Sequence, residues 1–189
     1  MCVRYFGKCQ RRHGMRKILI VIDMQNDFID GSLGTKEAEA IVQPVLEKIA
    51  AYDPEDVYAT RDTHAANYLE TQEGRMLPVE HCIKGTPGWE IRAEIAECLI
   101  SDHIIDKPSF GSLVLMEKMK AIYEAEAESA EFTLVGLCTD ICVVSNALLL
   151  KAAIPEAAIY VDATCCAGVT PEKHEAALET MRSCQIRVV

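Results

Sequence analysis

Short, β-branched and almost wholly apolar runs recur along this chain, each followed by a longer stretch with helical spacing, and that alternation is its strongest constraint. The runs are KILIVID (17–23), VYATR (57–61), HIID (103–106), FTLVG (132–136), AAIYVDA (157–163) and IRVV (186–189). Several are apolar at consecutive positions, as suits parallel strands covered on both faces. After the first run, Ala38, Ile41, Val42, Val45, Leu46 and Ile49 share a helical face, and Pro44 either kinks that helix or marks its first turn. Further helices are expected over 89–99, over 113–127 with an acidic outer face, and over 139–153, which is apolar nearly all round and should be buried. The last helix opens with Thr170 as cap and Pro171 in its first turn, turning Ala177, Leu178 and Met181 to the core. Strands joined by helices require right-handed crossovers. The expected fold is α/β: a doubly wound, mainly parallel six-stranded sheet with helices on both faces, a Rossmann-like three-layer arrangement.

Half of the 189 residues are hydrophobic and a quarter charged, enough for one buried core and too apolar for a disordered chain. No apolar run reaches the ~18 residues of a membrane span, so no membrane is expected as partner. With 29 acidic against 19 basic residues the net charge is −10, and such a surface repels phosphate backbones; nucleic acid is not an expected partner either. Nine cysteines could suggest disulfides, but the number is odd and most lie inside apolar runs (Cys98, Cys142, Cys184), where a free thiol behaves as a small hydrophobe. The first fifteen residues, MCVRYFGKCQRRHGM, lack a secretory apolar stretch, so a reducing cytoplasm is the expected location. Those residues, 1–15, read as a basic extension ahead of a single domain over 16–189. Cys2, Cys9 and His13 match no common zinc spacing.

In doubly wound sheets the ligand crevice lies beyond the carboxyl ends of the strands. The first strand here ends at Asp23, the second at Asp62 with His64 two residues on, the third at Asp106-Lys107, and the fourth leads through Cys138, Thr139 and Asp140 to Cys142. A carboxylate, an ammonium, a thiol and metal-ligating side chains thus meet at one edge. If Thr139 or Asp140 caps the following helix, Cys142 sits in its first turn, where the helix dipole and a nearby lysine would lower the thiol pKa.

The segments VIDMQNDFIDGSL, TRDTH, LPVEHCIKGTPGWE, DKPSFGS, GLCTDICV and VDATCCAGVT, in this order over about 17–189, resemble the isochorismatase-like cysteine hydrolases and, among them, the nicotinamidases. The resemblance implies a catalytic set of Asp23, Lys107 and Cys142, with Cys142 attacking an amide carbonyl and Asp23 carrying the proton. It implies an oxyanion hole from the backbone amides of Cys138 and Cys142, with a cis peptide entering Cys138. It also implies one divalent metal ion, zinc or alternatively iron or manganese, held by Asp62, His64 and His81 with Glu73 as a further acidic ligand. Phe28 and Phe110 would stand as aromatic walls, and Trp89 could line the same mouth. A small-molecule amide is the implied substrate, and a homo-oligomer the implied assembly. Cys138 stands where the family usually has alanine, and the Cys165-Cys166 pair is unusual; a redox role for these thiols is one reading, small side chains filling small spaces the other. A sister hydrolase of another amide or carbamoyl compound is the nearest rival, and a redox-sensing or interaction protein on the same scaffold a rival of another class.

Overall fold

A computed structural model describes residues 14–189. Most of the expected extension 1–15, and Cys2, Cys9 and His13 with it, lies outside the described residues. The strands are β1 (Arg16–Ile22), β2 (Val57–Asp62), β3 (Ile104–Lys107), β4 (Ala130–Leu137), β5 (Ala158–Ala167) and β6 (Arg187–Val188). They form one sheet in the order β3-β2-β1-β4-β5-β6, in which every pairing is parallel. The chain builds outward from β1 to β3, then returns to add β4 on the other side of β1. The strand order therefore reverses between β1 and β4, and the crevice belongs beyond their carboxyl ends.

The helices are α1 (Asn26–Ile29), α2 (Lys36–Ala40), α3 (Val42–Ala50), α4 (Gln72–Met76), α5 (Ala93–Ala96), α6 (Leu113–Ala125), α7 (Val144–Ala153) and α8 (Pro171–Ser183). The alternation of Cβ directions along a strand divides the core into two layers. Ile18, Ile20 and Ile22 of β1 join α6, α7 and α8 through Leu115, Met119, Leu150 and Leu178. Leu19 and Val21 join the opposite layer, with Phe28, Val45, Ile49 and Ile95 from α1, α3 and α5. Among the described residues no helix is long and apolar enough to cross a membrane.

Several helices differ from expectation for local reasons. The segment 38–49 is two helices, and Pro44 lies in the first turn of α3, where its missing N–H costs nothing. The helix expected over 89–99 shrinks to the single turn α5. Upstream of it, Glu90 accepts from Asn26, Ile91 bridges Gln25 and Arg92 donates to Met24, so the backbone there serves β1's exit instead of a helix. α6 ends at Ala125 because Ala127 and Glu128 adopt positive φ. α7 is covered by α6 and α8 on its inner side, but Leu148 and Leu149 are only half-buried. Thr170 caps α8 as expected, its side chain accepting from the Lys173 amide. Cys184, expected inside, is exposed where α8 ends.

Gly136 stands opposite Ile22 in the β1–β4 ladder with φ +114°, and a Cβ there would run into the Ile22 carbonyl oxygen. Gly136→Ala is expected to cost at least ~2 kcal/mol, lowering Tm by roughly 4 to 8 °C in thermal unfolding. An unchanged Tm would contradict this close approach.

Candidate active site and metal centre

At the carboxyl end of β1 the chain turns through Asp23, which adopts a positive φ of +46°. The group is wholly buried, and Thr60 of β2 donates to its Oδ1 at 2.7 Å. Lys107, the last residue of β3, is also buried and reaches across β2. Its Nζ lies 2.8 Å from Asp23 Oδ2, 3.3 Å from Asp62 Oδ1 and 3.5 Å from Cys142 Sγ, and donates to Ser109 O at 3.0 Å. One ammonium thus joins two carboxylates and a thiol. Burial opposes its charge, but these three neighbours outweigh that and hold its pKa well above the ordinary lysine range. Burial likewise raises the Asp23 carboxyl, against the pull of Lys107.

Cys142 lies in a π-turn, Thr139–Val143, that joins β4 to α7 and closes with Val143 N donating to Cys138 O at 3.1 Å. Neither Thr139 nor Asp140 caps it. Thr139 Oγ1 pairs with His174 Nδ1 at 2.8 Å, and Asp140 Oδ1 accepts from the Val169 amide at 2.9 Å, so both side chains tie the turn to α8 and its approach. The expected lowering of the thiol pKa is also corrected. Burial first, and the Asp23 carboxylate second, push Cys142 well above the ordinary thiol range, and Lys107 offsets this only in part. The Leu137–Cys138 peptide is cis, as the resemblance implied. Asn146, which the sequence did not single out, is buried and holds this region together: its Nδ2 donates to Cys142 O at 2.8 Å and Phe110 O at 3.1 Å, while its Oδ1 accepts from Ser112 N at 2.9 Å.

Asp62, His64 and His81 come together, their ligating atoms all within 4.8 Å of one another. His64 Nε2 stands 3.0 Å from Asp62 Oδ2, and His81 Nε2 stands 3.8 Å from it. Glu73, carried by α4, adds Oε1 at 3.7 and 3.8 Å from the two imidazole nitrogens. Ligand atoms sharing an ion at ~2.0–2.2 Å stand about 3 to 3.5 Å apart, so this spacing fits a divalent metal. Tautomers fit as well. His81 Nδ1 must donate to Val79 O at 2.8 Å, since a carbonyl only accepts, which leaves its Nε2 lone pair facing the cluster. His64 Nε2 is buried and, though 3.0 Å from Asp62 Oδ2, makes no well-aligned hydrogen bond, which suits an atom that shares a ligand with that carboxylate. Buried Tyr68 packs its ring on both imidazoles, at 4.7 and 4.9 Å between centroids.

A cavity of about 260 Å³ opens over these groups, and Cys142, Asp62, Glu73 and His81 all contribute to its wall. Phe28 and Phe110 line it; so do Leu77 and Val169, which the sequence pattern gave no reason to choose. Trp89 does not. Its ring lies under the Arg61 guanidinium at 3.5 Å and its Nε1 donates to Thr63 Oγ1 at 2.8 Å, away from the mouth. Cys138 is half-buried at the cavity, and desolvation pushes its thiol up to about 12. Cys165 and Cys166 are buried in opposite core layers, because neighbours on a strand face opposite ways. Cys82, beside His81, is buried in the core.

A family model described as the isochorismatase domain matches residues 17–189. The nicotinamidase of Saccharomyces cerevisiae is 26% identical, over 92% of this chain and 99% of that protein. The crystal structure of a pyrazinamidase of Pyrococcus horikoshii in complex with zinc superposes with a TM-score of 0.75 at 29% identity, covering 92% of this chain and 98% of that one. N-carbamoylsarcosine amidase from Thermoplasma acidophilum gives 0.69 at 26% identity, covering 92% and 95%. The chain belongs to the isochorismatase family, and its likenesses there are to enzymes named for amide hydrolysis.

Proposed function

We propose that the protein is a cysteine amidohydrolase that converts nicotinamide and water to nicotinic acid and ammonia. The observation that carries this reading is the single Lys107 ammonium, in contact with Asp23, Asp62 and Cys142, the last two of which line one small apolar cavity. As Cys142 Sγ attacks the carboxamide carbon, its proton passes to Asp23, which Lys107 keeps ionised in a site that otherwise favours the neutral acid. The backbone amides of Cys138 and Cys142 are assigned to the developing oxyanion. Asp23 returns the proton to the departing nitrogen, ammonia leaves, and a thioester remains on Cys142. Water then adds to the thioester with Asp23 again as base, releasing the acid and restoring the thiol. Phe28 and Phe110 confine the ring and exclude bulk water.

Asp62, His64, His81 and Glu73 are assigned to a divalent ion, with zinc the best match to the nitrogen and oxygen donors. Such an ion supplies a Lewis acid able to hold a pyridine nitrogen and so orient the carboxamide. His64→Ala, or chelation, is expected to lower kcat/KM for nicotinamide at least ~100-fold, read as ammonia release. Full activity in rigorously metal-free protein would remove the assignment. The N-carbamoylsarcosine amidase likeness favours one second reading, a hydrolase of another small amide or carbamoyl compound. Turnover of such a compound, with none of nicotinamide, would select it.

A further inference from the structure

Between β1 and β2 the regular ladder ends at Val21 and Ala59. Beyond it the turn at Asp23 carries the β1 backbone away, and Asp62 would be left at the strand end without its neighbour on that side. The side chain of Gln25 fills the gap. Its Oε1 accepts from the Asp62 amide at 2.7 Å, and its Nε2 donates to Asp62 O at 2.8 Å and to Trp89 O at 2.8 Å. Gln25 is wholly buried, so these bonds meet no competition from water. A carboxamide holds one acceptor and two donors in a plane; one of each meets the Asp62 N–H and carbonyl as an adjoining strand would, and the second donor holds Trp89 O.

Trp89 completes the arrangement. Alternate residues of a strand point to one face, so Arg61 and Thr63 share the side opposite Asp62. The Trp89 ring covers the first, its Nε1 donates to the second, and its carbonyl is held by Gln25. The tripeptide 61–63 is therefore clamped along its length. Asp62 is the residue most in need of that, since its Oδ1 faces Lys107 while its Oδ2 faces both imidazoles. A small rotation of the strand end would pull one oxygen out of place at each centre.

We infer that Gln25, with Trp89, is a positioning residue for Asp62: its side-chain amide stands in for a missing strand and sets the carboxylate between the lysine and the metal ligands. The inference rests on the metal reading proposed above. Only an amide serves there. Glutamate would turn an oxygen on two carbonyls, and methionine would leave the Asp62 N–H and carbonyl buried without partners.

The test is zinc affinity of the full chain, stripped of metal and titrated against a chromophoric chelator. Gln25→Met is expected to weaken zinc binding ~10- to 100-fold, the usual effect of losing a group that orients a metal ligand. Met119→Ala, a destabilising change in the opposite core layer, should leave it unchanged, which separates positioning from general loss of stability. If Gln25→Met does not fold, Trp89→Phe keeps the ring under Arg61, deletes only the bond to Thr63, and should weaken zinc binding about threefold to tenfold. Unchanged affinity in a folded Gln25→Met protein, or in Trp89→Phe where that is the variant measured, would overturn the inference. Zinc binding by wild type no tighter than by His64→Ala would instead overturn the metal reading, and this inference with it.

Discussion

Cys142→Ala is expected to abolish ammonia release from nicotinamide, with kcat reduced ~10⁴-fold or more while the fold persists. Removing a nucleophile eliminates the covalent route as a whole, and the remaining groups supply only binding and polarisation. The substitution deletes one buried sulfur from a well-packed layer, which costs on the order of 1 kcal/mol. The two effects are thus separable: Tm should move by roughly 2 to 4 °C while activity disappears. Mass spectrometry adds a positive check, because a thioester should be trapped on Cys142 when wild type is quenched during turnover. Residual turnover within tenfold of wild type, or an acyl group on Cys138, would show that the nucleophile lies elsewhere.

Lys107→Met should damage both stability and catalysis. Methionine matches the stem but leaves the Asp23 and Asp62 carboxylates buried without their shared cation. Breaking a buried ion pair in this way costs ~3–5 kcal/mol, or roughly 6 to 20 °C in Tm. The pH dependence has a definite sign. Asp23 already titrates above the usual carboxylate range because burial outweighs Lys107, and losing Lys107 raises it further. A carboxylate whose folded pKa exceeds its unfolded one makes the folded state bind more protons, so stability falls as pH rises through that interval. The deficit of Lys107→Met should therefore be smallest near pH ~4 and grow as the pH rises through neutral. Activity should fall at least ~100-fold at neutral pH, since a higher Asp23 pKa leaves less carboxylate to accept the thiol proton. In the wild type the same logic places the acid limb of kcat/KM above the ordinary carboxylate range. A Tm difference that does not vary with pH would mean that Lys107 is not the counter-ion of these carboxylates.

Much of the architecture was legible because strand burial and helix amphipathicity are written in periods of a few residues. Isoleucines and leucines alternate through β1 into the two core layers, and the order of the elements then admits few topologies. The strand ends also delivered the chemistry, since Asp23, Asp62, Lys107 and the turn holding Cys142 each sit where a parallel strand stops. Errors arose where backbone groups are claimed from far away. The segment around Glu90–Arg92 looked helical by spacing, yet its hydrogen bonds go to Met24 and Asn26, more than sixty residues earlier.

The sequence alone therefore determined the sheet, its two layers and the inventory of reactive groups at one edge, because those follow from local pattern and chain order. Tertiary structure decided what those groups are. Burial and a carboxylate carried by another strand push the Cys142 thiol pKa up, where the local turn by itself suggested lowering. Trp89 is a clamp and not a wall because Arg61 and Thr63 lie beneath it. Gln25 became visible only when its amide met the backbone of Asp62, thirty-seven residues away. Desolvation and hydrogen bonding depend on the whole set of neighbours around an atom, and for residues so distant along the chain that set exists only once the sheet has closed.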